Sequence, residues 1–165
     1  MGECKPSKTP IVPGSIPESS AKLNQEIAKQ YQSLVGSLLY AATSTRPDIA
    51  YSVSYLSRFM ADPEEQHWVA AKRVLRYLKG TQQKGLQFDR SDSETKDLIG
   101  YCDADWAGDC RRRSTTGFVF LMYGAPVSWK SQRQQTVALS TAEAEYMALC
   151  AASKEAVFLK NLTKE

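Results

Sequence analysis

A short polar segment divides this sequence of 165 residues into two parts with different hydrophobic periodicities. The segment DRSDSETKD, residues 89–97, consists mainly of charged residues and serine, which predicts a linker at residues 90–97. Before it, apolar residues recur at steps of three and four, as in helices, and after it they form short runs typical of strands. We therefore expect a fold of the α+β or α/β class, with a helical region at residues 24–89 and a strand-containing region at residues 98–165.

The first 23 residues form a proline-rich leader. Four prolines stand among serine, threonine and lysine residues, at Pro6, Pro10, Pro13 and Pro17. Because proline lacks a backbone donor and interrupts helices, this pattern predicts a flexible, extended segment over residues 1–23.

Three helices are predicted in the region that follows. The first begins near Asn24 and should bury a stripe formed by Ile27, Tyr31, Leu34, Val35, Leu38 and Leu39. The second has Pro47 in its first turn, where the missing donor is harmless, and its stripe is Ile49, Val53, Leu56 and Met60. The third should begin with Asp62 as its cap, Pro63 in the first helical position and Glu65 as the reciprocal capping residue. Its buried stripe is Trp68, Ala71, Leu75 and Leu78, and Gly80 ends it.

The opposite face of the third helix is basic. It carries Lys72, Arg73, Arg76 and Lys79. Two interpretations remain open for this face, a solvated helix surface and a contact with nucleic-acid phosphates.

The second half of the sequence predicts three antiparallel strands followed by a long helix. Apolar runs place the first two sheet strands at Leu98–Tyr101 and Gly117–Met122. The third sheet strand is predicted in two halves, Val127–Trp129 and Val137–Leu139, on either side of the polar run KSQRQQ. A further short strand, Gly85–Phe88, is predicted before the linker. The helix should begin near Thr141 and bury Tyr146, Leu149, Ala152, Ala156 and Leu159.

Four carboxylates near these elements are candidate site residues, of which Asp103 and Glu145 are the candidate metal ligands. Asp103 follows the first sheet strand, and Asp105 points to the same side by the two-residue period of a strand. They could bind a cation or simply solvate a turn. Ser140 and Glu143 match a capping box, whereas Glu145 lies at the edge of the predicted buried stripe and should need a partner. A Mg²⁺ ion shared with Asp103, for which Mn²⁺ could substitute, would supply one.

Basic and aromatic residues of the same region could contact nucleic acid. The basic candidates are Arg111, Arg112, Arg113, Lys130 and Arg133, for which a solvated loop is the alternative interpretation. Trp106 and Trp129 could stack on bases but are typical of packed aromatic residues.

Histidine and cysteine usage limits the other chemistry open to the chain. His67 is the single histidine, and none of the four cysteines has Cys-x-x-Cys spacing, so neither a zinc site nor a Ser-His-Asp triad is expected. No segment approaches the roughly 20 apolar residues that span a bilayer, and the polar start MGECKPSKTP does not resemble a signal peptide. We expect a cytoplasmic or nuclear protein that is not secreted and contacts no membrane.

The motifs together resemble a known family. The runs YCDADWAGD, STTGFVF and VSWKSQRQQTVALSTAEAEYMAL are similar to the ribonuclease H domain of copia-type retrotransposon Pol polyproteins. Upstream, YQSLVGSLLYAATSTRPDIAYSVSYLSRFM and HWVAAKRVLRYLKGT resemble the segment that ends the reverse transcriptase of the same polyproteins. This resemblance implies a Mg²⁺-dependent endonuclease that cleaves the RNA strand of an RNA–DNA hybrid through two metal ions. It assigns catalysis and metal binding to Asp103 and Glu145, with Asp105 and Glu143 as secondary candidates.

The sequence also departs from that family. The family site includes a further aspartate in a motif like Asp-Asn-x-x-Ala, and usually a fourth carboxylate, and neither is found here. We therefore expect a truncated ribonuclease H-like fold that is catalytically incomplete alone and can self-associate through an open sheet edge. Two alternatives remain: a nuclease that becomes active when another chain supplies the missing carboxylates, and a retained module for binding nucleic acid or protein.

Overall fold

The computed structural model describes residues 3–12, 21–89, 91, 97–108 and 112–164. The chain divides into two compact units, Met1–Gly85 and Leu86–Glu165. The predicted linker lies mostly outside the described residues, which include only Ser91 and Asp97 of it. The predicted domain boundaries therefore stay a prediction.

The first unit is helical, and the three predicted helices are confirmed. Helix α1 is Gln25–Ser44, a 3-10 turn follows at Pro47–Ile49, and helices α2 and α3 are Ala50–Ser57 and Glu65–Gly80. Asn24 caps α1, because its side-chain oxygen accepts from Ile27 N at 2.8 Å. Pro47 begins the 3-10 turn, one element earlier than the predicted second helix.

The core of this unit is built by all three helices. Its buried apolar residues are Tyr31, Val35, Leu38, Ala42, Ile49, Val53, Leu56, Ala70, Ala71, Val74 and Tyr77. In the predicted stripe of α1, Tyr31, Val35 and Leu38 are buried, whereas Ile27, Leu34 and Leu39 are only partly buried. Tyr31 is fully buried and donates its hydroxyl to Leu56 O at 2.7 Å, and burial raises the pKa of this phenol.

The start of α3 differs from the prediction. The cap is Glu64 rather than Asp62: the Glu64 side chain accepts from the backbone of His67, and His67 Nδ1 accepts from Glu64 N at 3.0 Å. Asp62 instead pairs with Lys22 at 2.7 Å. The predicted cap was wrong because Glu64 and His67 have the same spacing as Asp62 and Glu65, and only the former pair is bonded reciprocally.

A polar network closes the other end of α3. Arg46 donates to both carboxylate oxygens of Asp48 at 2.9 and 2.8 Å, and to Thr81 Oγ1 at 2.6 Å. Tyr77 donates its hydroxyl to Asp48 at 2.7 Å. The Arg46 guanidinium, followed by the Tyr77 hydroxyl, holds the pKa of Asp48 below its usual range against the opposing effect of burial.

Part of the leader lies against α3. Ser7 N donates to Arg76 O at 3.2 Å, near the C-terminal end of α3. Residues 3–12 thus include an anchored segment where the sequence predicts a flexible leader. The reason is that a proline-rich segment makes few backbone hydrogen bonds of its own, so its carbonyl groups can accept from basic side chains of α3. Residues 13–20 of the leader lie outside the described residues.

The second unit is an antiparallel sheet followed by one helix. Strands β1 (Ile99–Asp105), β2 (Thr115–Met122) and β3 (Ala125–Arg133) lie in the order β1-β2-β3, and helix α4 is Thr141–Leu162. The predicted three antiparallel strands followed by a long helix are confirmed, and the fold is of the α+β class.

The sheet buries one face against α4. Phe118 and Phe120 pack with Ala152 and Leu159. Strands β2 and β3 are joined through Tyr123 and Gly124, whose φ angles of 53° and 73° suit a tight hairpin turn.

Three strand predictions were wrong. Strand β1 continues to Asp105, so both aspartates lie inside it rather than after it. Strand β3 is continuous through the polar residues 130–133, whereas Val137–Leu139 is not a strand. An edge strand tolerates polar residues because one of its faces remains solvated. Gly85–Phe88 is also not a strand.

The predicted buried stripe of α4 is confirmed for Ala152 and Leu159 and wrong for its first part. The buried residues are Ala144, Ala148, Ala152 and Leu159, whereas Tyr146 and Leu149 are exposed. The alanine face packs against the sheet because small side chains allow the helix to approach the phenylalanine rings closely.

Candidate carboxylate site

The two aspartates lie on strand β1 and are exposed. Cys102 pairs with Phe118, and Asp103 pairs with Gly117. Because paired residues point to the same side of a sheet and successive residues alternate, Asp103 and Asp105 lie on the face opposite Phe118. Strand alternation thus places both aspartates on the face that α4 does not cover.

The two glutamates lie in the first turns of α4 and differ in role. Ser140 Oγ accepts from Glu143 N at 3.1 Å, and Glu143 Oε2 accepts from Leu139 N at 2.6 Å. The predicted capping role of Glu143 is confirmed, with Leu139 as the residue it reaches. Glu145 is exposed, so the prediction that burial forces a partner on it is wrong. Its assignment to metal binding, with Asp103, stays a prediction.

The start of α4 is nevertheless fixed beside the end of β1. Trp106, which follows the strand, donates Nε1 to Ala138 O at 3.2 Å, just before the α4 cap. Gln134 Nε2 donates to Thr116 Oγ1 and to Ala144 O, each at 3.0 Å. These bonds hold the helix turn that carries Glu145 against the sheet end that carries the aspartates.

Gln134 is a site residue that the sequence did not reveal. It is buried, and its backbone N donates to Ser114 O at 2.8 Å. Ser114, fully buried, in turn accepts from Ala107 N at 3.2 Å, so one chain of bonds links β2, the loop after β1 and α4. Gln134 stands in a run of polar residues with no hydrophobic periodicity, and no signal in that run distinguishes it.

The carboxylates do not form a complete metal centre. Within the described ranges, no group of three or more His, Cys, Asp or Glu side chains could hold an ion. The donor set fits Mg²⁺ in kind, because carboxylate oxygens are its preferred protein ligands, but falls short in number.

The predicted basic contacts do not form one patch. Arg111 lies outside the described residues. Arg112 adopts a φ of 57° and places its guanidinium 5.9 Å from the centre of the Trp106 ring, and Arg113 is half-buried. Lys130 pairs with Phe118 and Arg133 with Thr115, so these two side chains lie on opposite faces of the sheet. Their role in nucleic-acid binding stays a prediction.

A shallow apolar groove runs along the exposed face of α4. Tyr146, Leu149, Cys150, Ser153, Lys154 and Val157 line it. Tyr146 is 73% exposed and Val157 is 60% exposed.

No helix in the described part of the chain is long and apolar enough to cross a membrane.

Comparison with known proteins places the chain among transposon proteins. It is 43% identical over 173 residues to the retrovirus-related Pol polyprotein from transposon TNT 1-94 of Nicotiana tabacum, covering 100% of this chain and 13% of that protein. It is 40% identical over 168 residues to the Pol polyprotein from transposon RE2 of Arabidopsis thaliana, covering 100% of this chain and 11% of that one. The chain thus spans a small part of these polyproteins.

A shorter relative is matched over nearly its full length. The chain is 53% identical over 135 residues to secreted RxLR effector protein 161 of Plasmopara viticola, covering 81% of this chain and 94% of that protein. No protein-family model matches the chain, and no solved structure matches it significantly. The full-length similarity to the transposon polyproteins shows that this chain belongs to the retrovirus-related Pol polyproteins of copia-type retrotransposons.

Proposed function

We propose that residues 98–165 are part of a ribonuclease H-like domain that acts on RNA–DNA hybrids, and that this chain supplies only part of the catalytic centre. The observation that carries the proposal is the bonding of the α4 start to the loop after β1, through Trp106 and Gln134. It holds the start of α4, which carries Glu145, beside the end of β1, which carries Asp103 on the sheet face away from α4.

The chemistry needs more carboxylates than these two elements offer. Hydrolysis by a two-metal centre uses two ions about 3.5–4 Å apart, one activating the water and the other stabilising the leaving oxygen. Asp103 and Glu145 can each offer hard oxygen ligands to Mg²⁺ or Mn²⁺, and both are exposed enough to reach a bound ion. The described residues form no group of three ligands, which supports a centre that needs further carboxylates from outside them.

The secondary candidates have smaller parts in this proposal. Glu143 is engaged in the α4 cap through Leu139 N, which favours a structural role. Asp105 lies close to Gly108, where an added Cβ would overlap its carboxylate, and it therefore shapes the loop after β1.

Cleavage of a labelled RNA–DNA hybrid in Mg²⁺ or Mn²⁺ tests the proposal. We expect no cleavage by the chain alone, and cleavage when the polyprotein segment that follows this region in transposon TNT 1-94 is supplied in trans. Asp103→Asn and Glu145→Gln should each abolish the restored activity. Asp62→Asn, which changes an exposed carboxylate of the other unit, is the matched control and should leave it unchanged.

Two results would contradict the proposal. Asp103-dependent cleavage by the chain alone would show that its own residues complete a centre. Restored cleavage that survives both Asp103→Asn and Glu145→Gln would show that these carboxylates are not ligands.

A further inference from the structure

The leader is bound to α3 through basic side chains. We call residues 4–9 the leader strap. Arg76 Nε donates to Lys5 O at 2.8 Å, and Lys79 Nζ donates to Cys4 O at 2.9 Å. Arg73 donates to Thr9 twice, from Nε to O at 3.2 Å and from a terminal nitrogen to Oγ1 at 2.9 Å. Three of the four cations of the basic helix face therefore contact the leader strap.

The strap also fits the helix end in shape. A Cβ added at Gly80 would stand 2.9 Å from Pro6 Cβ, closer than such atoms approach in proteins. Glycine is thus required at the last position of α3 for Pro6 to lie where it does. With the bond from Ser7 N to Arg76 O, these contacts give the strap a defined position rather than a loose one.

These bonds, by contrast, join cations to neutral acceptors. The strap atoms that accept from Arg73, Arg76 and Lys79 are carbonyl and hydroxyl oxygens, which carry no negative charge. The strap adds two further cations of its own, Lys5 and Lys8, both exposed. An anionic oxygen makes a stronger, charge-assisted bond to such donors than a neutral carbonyl does.

The spacing of the donors suits a chain of phosphates. Arg73, Arg76 and Lys79 follow at steps of three residues, which spreads them over about 9 Å of helix at 1.5 Å per residue. Successive phosphates of one nucleic-acid strand advance about 3.4 Å along the helix axis, so two or three of them fit this length.

We propose that the basic face of α3, formed by Lys72, Arg73, Arg76 and Lys79, binds the phosphodiester backbone of a nucleic acid, and that the leader strap covers this site as an intramolecular competitor. The strap carbonyls occupy the positions that phosphate oxygens take in the bound state. This site lies in the helical unit and does not depend on the carboxylates of the other unit, so its test is independent of the nuclease proposal.

Amide hydrogen exchange of the full-length chain tests the competition directly. Titration with a short RNA–DNA hybrid at low salt should speed exchange across residues 4–9, where the Ser7 amide is protected by Arg76 O. The half-point of that change should match the affinity measured by fluorescence anisotropy. Arg76→Gln should weaken binding and lower the salt slope by about one, so that the affinity lost between about 50 and about 200 mM salt becomes about threefold smaller, because one phosphate contact is gone.

A glycine variant separates the strap from the site. Gly80→Val overlaps Pro6 and should release the strap. Hybrid binding should then tighten at about 50 mM salt, while the slope of log affinity against log salt stays unchanged, because the bound state makes the same phosphate contacts with or without the strap. The matched control is Gly36→Val on α1, where nothing lies within 4 Å of an added Cβ. Adding Arg76→Gln to Gly80→Val should weaken binding again and lower the salt slope by about one.

Three results would overturn the inference. One is hybrid binding that leaves exchange at residues 4–9 unchanged. Another is binding that Arg76→Gln does not weaken. The third is equal release of the strap by inorganic phosphate at the same phosphate concentration, which would mark a site for free anions rather than for a nucleic-acid strand.

Discussion

Acidification is expected to destabilise the helical unit through His67, the chain's single histidine. The ring is 3% exposed and stacks on Phe59 with centroids 3.9 Å apart. Its Nδ1 accepts from Glu64 N at 3.0 Å, which requires that this nitrogen carry no proton. Protonation would set two N–H groups against each other and break the α3 cap.

The sign of the effect follows from the direction of the pKa shift. Burial lowers the pKa of His67 from its ordinary value near 6.5, and the nearby Glu64 carboxylate opposes this only in part. In the pH window below about 6.5 and above the folded-state pKa, the unfolded chain binds a proton that the folded chain does not. The stability that neutral His67 contributes is therefore complete above that window and is lost as the pH falls through it.

The size of the loss is set by linkage. One proton changes the free energy of unfolding by at most about 1.4 kcal/mol per pH unit. A fall from about pH 7.5 to about pH 5.5 should therefore cost on the order of 1 kcal/mol. Amide hydrogen exchange in α1 and α3 reports this unit separately from the sheet, and NMR titration of the ring should give a midpoint below 6.5.

His67→Gln is the control variant. Glutamine can fill the same capping position and does not titrate. Loss of the ring stack should lower stability at every pH, while the pH dependence between about pH 7.5 and about pH 5.5 disappears. Wild-type stability that is flat over this range, or an equal slope in His67→Gln, would refute the reasoning.

Two further predictions concern other parts of the fold. Asp48→Ala should lower the free energy of unfolding of the helical unit by about 1–3 kcal/mol, because Arg46 and Tyr77 lose a shared partner, and urea unfolding measures this; an unchanged midpoint would contradict it. Tyr101→Lys on the edge strand β1 should weaken self-association through the sheet edge, seen as a lower sedimentation coefficient at high protein concentration. A wild-type chain that is monomeric at all concentrations would contradict this second prediction.

The helical unit was the most predictable part in its order of elements. Its periodicity did not fix every buried face, because α3 buries Ala70, Ala71, Val74 and Tyr77, whereas the predicted Trp68, Leu75 and Leu78 are only partly buried. The stripe of α1 marks Tyr31, Val35 and Leu38, and all three are buried. The start of α3 was missed because the sequence offers two overlapping capping pairs. Tertiary contacts favour the second, since Phe59 stacks on His67 and Lys22 draws Asp62 into an ion pair.

Helix α4 could be located but not oriented from its sequence. It is apolar on two sides, and periodicity gives no reason to prefer the alanine side over the side of Tyr146 and Leu149. The phenylalanine rings of the sheet determine which side of α4 is buried, because they fill the space between sheet and helix and leave room only for small side chains. That information lies in a different element of the chain.

The candidate site was predictable only to the level of the elements that carry it. The motifs locate Asp103 at the end of the first strand and Glu145 on the helix, and the strand extends two residues past Asp103. The face on which Asp103 lies follows from its pairing with Gly117, which the sequence does not specify. Gln134 was missed because its two partners, Thr116 and Ala144, are distant in sequence.

The alanine face of α4 inverts the usual expectation of which residues tolerate mutation. Ala144, Ala148 and Ala152 are the helix's smallest side chains, yet they set its distance from the sheet, and any enlargement there would push the two apart. The bulky Tyr146 and Val157 lie outside that contact. A designer seeking a more soluble chain could therefore make this outer surface polar and leave the architecture of the unit intact.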